Sequence, residues 1–279
     1  MFGGSWTKQK LDIVESYAKA YLTIMKGRTY WPIMYFDGFA GTGEINVDDN
    51  DYNIIEGAAK RILAIEEPRS FDMYYFVELD CEKAKKLEKM INNSYSYKKQ
   101  VYVQSADCNK KLLDLSNFLK SSKGKKFKVL AFIDPFGMEL NWKSLESLKG
   151  FSIDLWLLIP TGVGANRLLK NDGKIPDSWF KRLEKFLGIT RKDIMNHFYQ
   201  KFKTQTLFGV EDVIEKDRNT IEKIHKLYAT RLSTIFKFVS ESFVMRNSTN
   251  AIMFHFLMAT NNANALKIAN DIIKPKYKK

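Results

Sequence analysis

The chain of 279 residues holds only two cysteines, Cys81 and Cys108, three histidines, His197, His225 and His255, and six prolines. Two cysteines cannot build a disulfide framework or a cysteine-based zinc site. The histidines are scattered, without a spaced partner, and read as structural, so zinc hydrolases and Ser-His-Asp hydrolases are set aside and no metal is expected. No apolar run approaches the ~18 residues of a membrane span. The longest, Val129–Ile133 and Leu155–Ile159, have the length of buried strands. Met1 to Lys10 lack the charged-then-apolar order of a secretory leader. Disordered and fibrous classes are excluded by a composition of 45% apolar and 28% charged residues. These absences point to a soluble, reduced, cytoplasmic protein.

Positive charge is abundant. Lys+Arg 45 against Asp+Glu 32 leaves a net charge of +13. Such an excess suits an anionic partner, most often nucleic acid, although a lysine-rich proteome produces it too. It is concentrated: Ala165 to Ser240 hold 16 basic and 9 acidic residues.

Hydrophobic spacing alternates between helical and strand periods, the pattern of an α/β fold. A first helix is predicted from Thr7 to Met25. Strands are predicted at Ile33–Asp37, Met73–Leu79, Val101–Ser105, Lys128–Asp134 and Ile153–Ile159, with helices between them. The basic stretch then reads as a mostly helical insertion, with helices over Trp179–Leu187, Arg191–Phe202 and Val213–Lys237. Two last strands, Phe243–Arg246 and Ala251–Ala259, form an antiparallel hairpin across Asn247–Asn250, and a helix follows over Ala263–Ile273. The expected organisation is a core of residues 1–164 and 239–279 interrupted by a basic insertion at 165–238.

The sharpest local signal is Tyr35-Phe-Asp-Gly-Phe-Ala-Gly-Thr-Gly43. Gly38, Gly41 and Gly43 permit tight turns and close approach of backbone to a ligand. No Gly-Lys-Ser/Thr follows, so it is not a P-loop, and the spacing differs from the usual dinucleotide fingerprint. Asp37 ahead of the glycines suits a sulfonium or ammonium better than a pyrophosphate. A turn with no ligand has the same glycines. Three more carboxylates lie at ends of predicted strands: Glu78, placed for a ribose diol, Asp107, within reach of an adenine amino group, and Asp134. Open parallel sheets bind ligands at these carboxyl ends, so four such acids together favour an adenosyl ligand.

On these residues the chain resembles the Rossmann-like S-adenosylmethionine-dependent methyltransferases. Asp37-x-Phe-Ala-Gly-x-Gly43 resembles their first motif, Glu78 the ribose acid and Asp107 the adenine-side acid. The resemblance implies a mostly parallel seven-stranded sheet with a C-terminal antiparallel hairpin. It implies a cofactor site of Asp37, Gly38, Phe39, Ala40, Gly41, Gly43, Glu78, Leu79, Asp107, Cys108 and Asp134. Cys108 reads equally as a small buried residue. More narrowly, the chain resembles the three-Cys-motif partner protein family. The features that carry this are Trp6-Thr-Lys-Gln-Lys-Leu11, Phe36-Asp-Gly-Phe-Ala-Gly-Thr-Gly43, Ile133-Asp-Pro-Phe-Gly137 and Leu158-Ile-Pro-Thr-Gly162. That resemblance implies a three-cysteine-motif protein as partner. An acidic loop, Val47–Tyr52, departs from the wider family.

Asp134-Pro135-Phe136-Gly137 is similar to the Asp-Pro-Pro-Tyr type motif of amino-group nucleic-acid methyltransferases, and closer to the Asp-Pro-Phe-Gly of tRNA guanosine amino-group dimethyltransferases. An exocyclic amine gives its lone pair to the ring and is a poor nucleophile. Hydrogen bonds from its N–H groups to Asp134 and the Pro135 carbonyl would turn that lone pair toward a methyl donor, and Phe136 would stack on the base. Gly137 departs from the aromatic found there in many amino methyltransferases. A structural strand end closed by Pro135 is the plainer alternative. Arg167, Lys181, Arg182, Lys185, Arg191 and Lys192 are the candidates for phosphate contacts on RNA or DNA, although a residue placed like Arg167 is more often a solvated helix start. The alternative to an enzyme is a non-catalytic subunit that binds cofactor or nucleic acid for its partner.

Overall fold

The computed structural model describes residues 5–46, 54–206 and 209–277. The Val47–Tyr52 loop lies outside them. In chain order the elements are α1 (Ser5–Met25), β1 (Ile33–Asp37), β2 (Glu44–Asn46), β3 (Ile54–Glu56), α2 (Ala58–Leu63), β4 (Met73–Glu78), α3 (Cys81–Ser94), β5 (Val101–Ser105), α4 (Cys108–Lys120), β6 (Lys128–Ile133), α5 (Trp142–Glu146) and β7 (Ile153–Ile159). A π-turn at Thr161–Ala165 leads into α6 (Asn166–Leu168), α7 (Asp177–Leu187), α8 (Arg191–Phe198), β8 (Tyr199–Thr206), β9 (Gly209–Lys216) and α9 (Thr220–Leu232). The chain closes with β10 (Phe238–Val239), β11 (Phe243–Arg246), β12 (Ile252–Thr260) and α10 (Ala263–Tyr277).

Eight strands form the main sheet in the order β10-β12-β7-β6-β1-β4-β5, with β11 also paired to β12. The run from β7 to β5 is parallel. β12 runs antiparallel to β7, and β10 and β11 pair antiparallel to its other side. This is the expected mixed α/β sheet, mostly parallel with a closing antiparallel pair, and it holds one strand more than the seven expected, because the short β10 pairs with the end of β12. The central strands are mostly apolar because helices cover both faces: β1 is buried at all five positions, its terminal Asp37 included, and six of the seven residues of β7 are buried. One face packs against α1, α2, α3 and α10 through residues such as Tyr17, Ile62, Leu87 and Ala269. The other packs against α4, α5 and the helices of 165–238 through Leu112, Trp142, Phe186 and Tyr228. Segment 165–238 therefore shares its apolar core with the sheet.

α1 is fastened across the sheet. The buried Tyr17 hydroxyl donates to Asp154 Oδ2 at 2.8 Å, and the Tyr17 ring meets Trp156 edge-on at 5.4 Å. Its C-terminal neighbourhood is held by Arg69, which donates to the carbonyls of Met25 and Trp31 and to Asp72.

The basic segment is less helical than its spacing predicts. The predicted helix over Arg191–Phe202 stops at Phe198, and residues 213–216 of the predicted helix Val213–Lys237 are strand. β8 and β9 instead pair as an antiparallel ribbon from Tyr199↔Lys216 to Thr206↔Gly209. Phe198, Tyr199 and Phe202 mimic a helical stripe. Phe198 and Tyr199 are buried, but Phe202 is 43% exposed, and Gln-Lys-Phe-Lys-Thr-Gln-Thr has the alternation and β-branching of a ribbon. α9 starts at Thr220, where the Thr220 hydroxyl donates to the Asp217 carbonyl and the Lys223 ammonium pairs with the Asp217 carboxylate. Among the described residues, no helix is long and apolar enough to cross a membrane.

Candidate functional site

All four strand-end acids lie at one edge of the sheet, because their strands run parallel. Asp37 ends β1 and Glu78 ends β4, Asp107 caps α4 just after β5, and Asp134 follows β6. A cleft of about 310 Å³ opens at this edge, within the size range of small-ligand sites.

The glycine turn forms one wall, with Phe39, Ala40, Gly41, Thr42 and Gly43 facing the cleft. Backbone bonds clamp it to both neighbouring strands: Gly38 N–H donates to the Phe132 carbonyl and Ala40 N–H to that of Val77, each at 2.9 Å. Glycine is required at two points for different reasons. A Cβ on Gly38 would lie 2.6 Å from both Cys108 Sγ and Ile133 Cδ1. Gly43 has φ +83°, a left-handed backbone that side chains disfavour. Cys108 thus stands behind the turn as a packing residue, and burial pushes its thiol well above the ordinary range, which suits structure better than reactivity.

Asp37 is fully buried yet lines the cleft. Its Oδ1 accepts from Phe39 N–H at 3.1 Å and its Oδ2 from the Tyr35 hydroxyl at 3.4 Å. Burial pushes its carboxyl up to about 7, with the neighbouring Asp134 adding to the rise and the Phe39 N–H, the Tyr35 hydroxyl and Lys10 opposing it. A carboxyl in that state gains from a cation in the cleft, which would favour its ionised form.

Glu78 and Asp107 sit beyond the turn. Glu78 Oε2 accepts from Gly41 N–H and Oε1 from Asp80 N–H, both at 2.9 Å, and Asp107 Oδ1 accepts from Lys110 N–H at 3.1 Å. An ionised carboxylate has about four acceptor sites, so both acids keep capacity for further donors. Neither lines the cleft itself, and Leu79 beside Glu78 is 70% exposed.

The opposite wall holds Asp134, Pro135 and Phe136 with Trp6, Thr7, Lys10 and Leu11 of α1, Leu158 of β7 and Phe254 of β12. Phe136 is 67% exposed, and the Lys83 ammonium stands 5.9 Å from its ring centroid. Gly137 N–H donates to Glu139 Oε2 at 2.7 Å, which fixes the loop after the motif. Lys10 is the residue that sequence reasoning missed here. Its side chain is 6% exposed, its Nζ pairs with Asp134 Oδ2, and it lies 6.0 Å from the ring centroids of both Trp6 and Phe132. The available signal was the i,i+4 spacing of Trp6 with Lys10 and of Thr7 with Leu11, which puts two turns of α1 on one face. Trp6 packs against Phe254 at 5.6 Å, docking that face beside the motif.

The candidate phosphate contacts lie elsewhere. Arg167, Lys181, Arg182, Lys185, Arg191 and Lys192 are all exposed, and no residue of 165–238 lines the cleft. Arg191 already pairs with Asp177 at 2.7 Å and lies over the Phe180 ring at 4.1 Å.

No protein-family model and no curated protein matches the chain. Among solved structures it is similar to protein LPL1258 from Legionella pneumophila, at 16% identity and a TM-score of 0.44, over 94% of this chain and 99% of that one. It is similar to Trm1 from Pyrococcus horikoshii in complex with S-adenosyl-L-methionine, at 9% identity and a TM-score of 0.41, over 97% and 72%. The N-terminal domain of EvdMO1 with SAH bound is similar at 11% identity and a TM-score of 0.39, over 88% and 81%. Scores this low leave the fold resting on the strand order itself.

Proposed function

We propose that the cleft binds S-adenosylmethionine and serves methyl transfer to an exocyclic amino group of a nucleic-acid base. One observation carries this reading: the buried Asp37 with its glycine turn and the Asp134, Pro135 and Phe136 of the second motif line a single cleft. The residues present fit the cofactor. Asp37 offers buried negative charge toward a cation, the turn offers a wall of small residues, and Glu78 and Asp107 keep acceptor capacity for hydroxyl and amino donors. Bound there, S-adenosylmethionine supplies an electrophilic methyl group. The protein's part is then positioning. Asp134 and the Pro135 carbonyl accept the amine N–H groups and orient its lone pair, and Phe136 offers its exposed face to the base. The basic residues of α7 and α8, Arg167 among their neighbours, supply phosphate contacts on a cytoplasmic RNA or DNA.

A second reading has its own observation. Asp134 is already engaged by Lys10, as expected if this chain binds cofactor or nucleic acid without catalysis, as the partner of a three-cysteine-motif protein. The same resemblance suggests membership of that partner family. A labelled-methyl assay over tRNA, rRNA and DNA separates the two, run beside calorimetric binding of S-adenosylmethionine. On the catalytic reading Asp134→Ala loses methyl transfer and keeps cofactor binding. Full activity in that variant would overturn the role given to Asp134. Loss of function on charge reversal of Lys181, Arg182 and Lys185, with Asp134→Ala unaffected, would favour the non-catalytic reading.

A further inference from the structure

On the face of the sheet that α9 covers, two histidines 30 positions apart come together, and neither lines the cleft. His225 lies on α9 and His255 on β12, with ring centroids 4.1 Å apart. Glu222, one turn before His225, places its carboxylate between them: Oε2 is 4.0 Å from His225 Nδ1 and Oε1 is 4.0 Å from His255 Nε2. At that spacing neither pair is a hydrogen bond. The far nitrogen of each ring is spoken for. His225 Nε2 meets Ser242 Oγ at 2.7 Å, and His255 Nδ1 meets Thr161 Oγ1 at 2.9 Å. Ser242 and Thr161 are both buried.

We infer that Glu222, His225 and His255 form a binding site for a divalent first-row transition ion, zinc foremost, that clips α9 to β12. Two imidazoles and a carboxylate form a donor set suited to such an ion, with one position left for water. The hydroxyl on each far nitrogen is the outer-shell partner that orients a ligating histidine. Both rings are pushed toward the neutral form by burial, which leaves lone pairs rather than protons to share. At His225 the Glu222 carboxylate opposes this and Lys226 adds to it, and at His255 the His225 ring and Arg246 both add to it.

The three donor atoms lie within 4.8 Å of one another, whereas ligands of a tetrahedral zinc at ~2.0–2.1 Å are about 3.4 Å apart. The rings are stacked at 9°, so their in-plane lone pairs run side by side and must tilt to converge. The freedom for this lies on α9, where the His225 and Glu222 side chains are 22% and 49% exposed against 1% for His255. The ion would join two separate segments, α9 within 165–238 and β12 of the sheet.

The test uses tag-free, chelator-stripped full-length protein titrated with Co²⁺ and then Zn²⁺, with visible absorption and thermal midpoint as readouts. One equivalent of Co²⁺ is expected to give a d–d band that Zn²⁺ displaces, with a raised midpoint. Glu222→Gln and His225→Asn, at the more exposed positions, should each lose the band, and His197→Ala should keep it. Thr161→Val and Ser242→Ala should weaken Zn²⁺ binding by about 10–100-fold. No band and no midpoint shift in the wild type, or a band that survives both Glu222→Gln and His225→Asn, would overturn the site.

Discussion

The two walls of the cleft are built by different routes. The glycine wall is one continuous segment, residues 38–43, turned tightly at the end of β1 and clamped by its own backbone to β4 and β6. The facing wall is assembled from α1, the loop after β6, and strands β7 and β12, and its central contact joins Lys10 to Asp134 across 124 residues. The first wall is specified locally and tolerates little change. The second is held by tertiary contacts, so it is the wall that can vary while the glycine wall stays the same.

The largest expected effect separates the walls by function. On the catalytic reading Asp134→Ala should lower the methyl-transfer rate by about 100–1,000-fold, the usual consequence of losing a polar group that organises the transition state, with calorimetric cofactor affinity changed little. Gly38→Ala should do the reverse. Its Cβ would collide with Cys108 Sγ and Ile133 Cδ1, costing ~1–3 kcal/mol of stability as overpacking does and displacing the turn, so cofactor binding falls in proportion. A Gly38→Ala protein with native melting and native affinity would break the comparison.

Lys10→Met should act between these. It removes the ammonium from a pair whose side chains are 6% and 20% exposed. The loss of stability should fall below the ~3–5 kcal/mol of a fully buried pair, since Asp134 keeps contact with water. Urea denaturation measures it. On the catalytic reading the variant also changes acceptor KM more than cofactor affinity. The smallest effect concerns the outlying basic residues. If the proposed phosphate contacts hold, charge neutralisation of Lys181, Arg182 and Lys185 should weaken RNA or DNA binding across all sequences and flatten its salt slope by about 2–3, leaving cofactor affinity unmoved.

How much of this was legible follows the same division. The five parallel strands, the hairpin of β11 and β12 and the glycine turn each announce themselves within a dozen residues, by apolar runs or glycine spacing, and their predicted bounds agree to within a residue or two, whereas the two-residue β10 carries no such signal. Contacts between distant segments leave no such trace. Lys10 reads as an ordinary residue of α1 until the sheet puts Phe132 and Asp134 beside it. His225 and His255 look unpartnered because one belongs to a helix and the other to a strand. The β8–β9 ribbon was hidden for a different reason: Phe198, Tyr199 and Phe202 satisfy helical spacing, while the Lys/Thr/Gln alternation that decides for a strand is polar on both faces and carries little hydrophobic signal.

The most direct test of the cofactor site is calorimetric titration of wild-type protein and Asp37→Asn with S-adenosylmethionine on either side of pH 7. Burial holds the Asp37 carboxyl up at about 7, so it is protonated and neutral below that pH and ionised above it. A cation should therefore bind more weakly as pH falls through 7, taking up affinity as the proton leaves. The expected result is micromolar binding by the wild type that strengthens from acid to alkaline conditions, and weaker, pH-indifferent binding by Asp37→Asn. Absence of binding at either pH, or equal affinity in both proteins at both, would contradict a sulfonium site at Asp37.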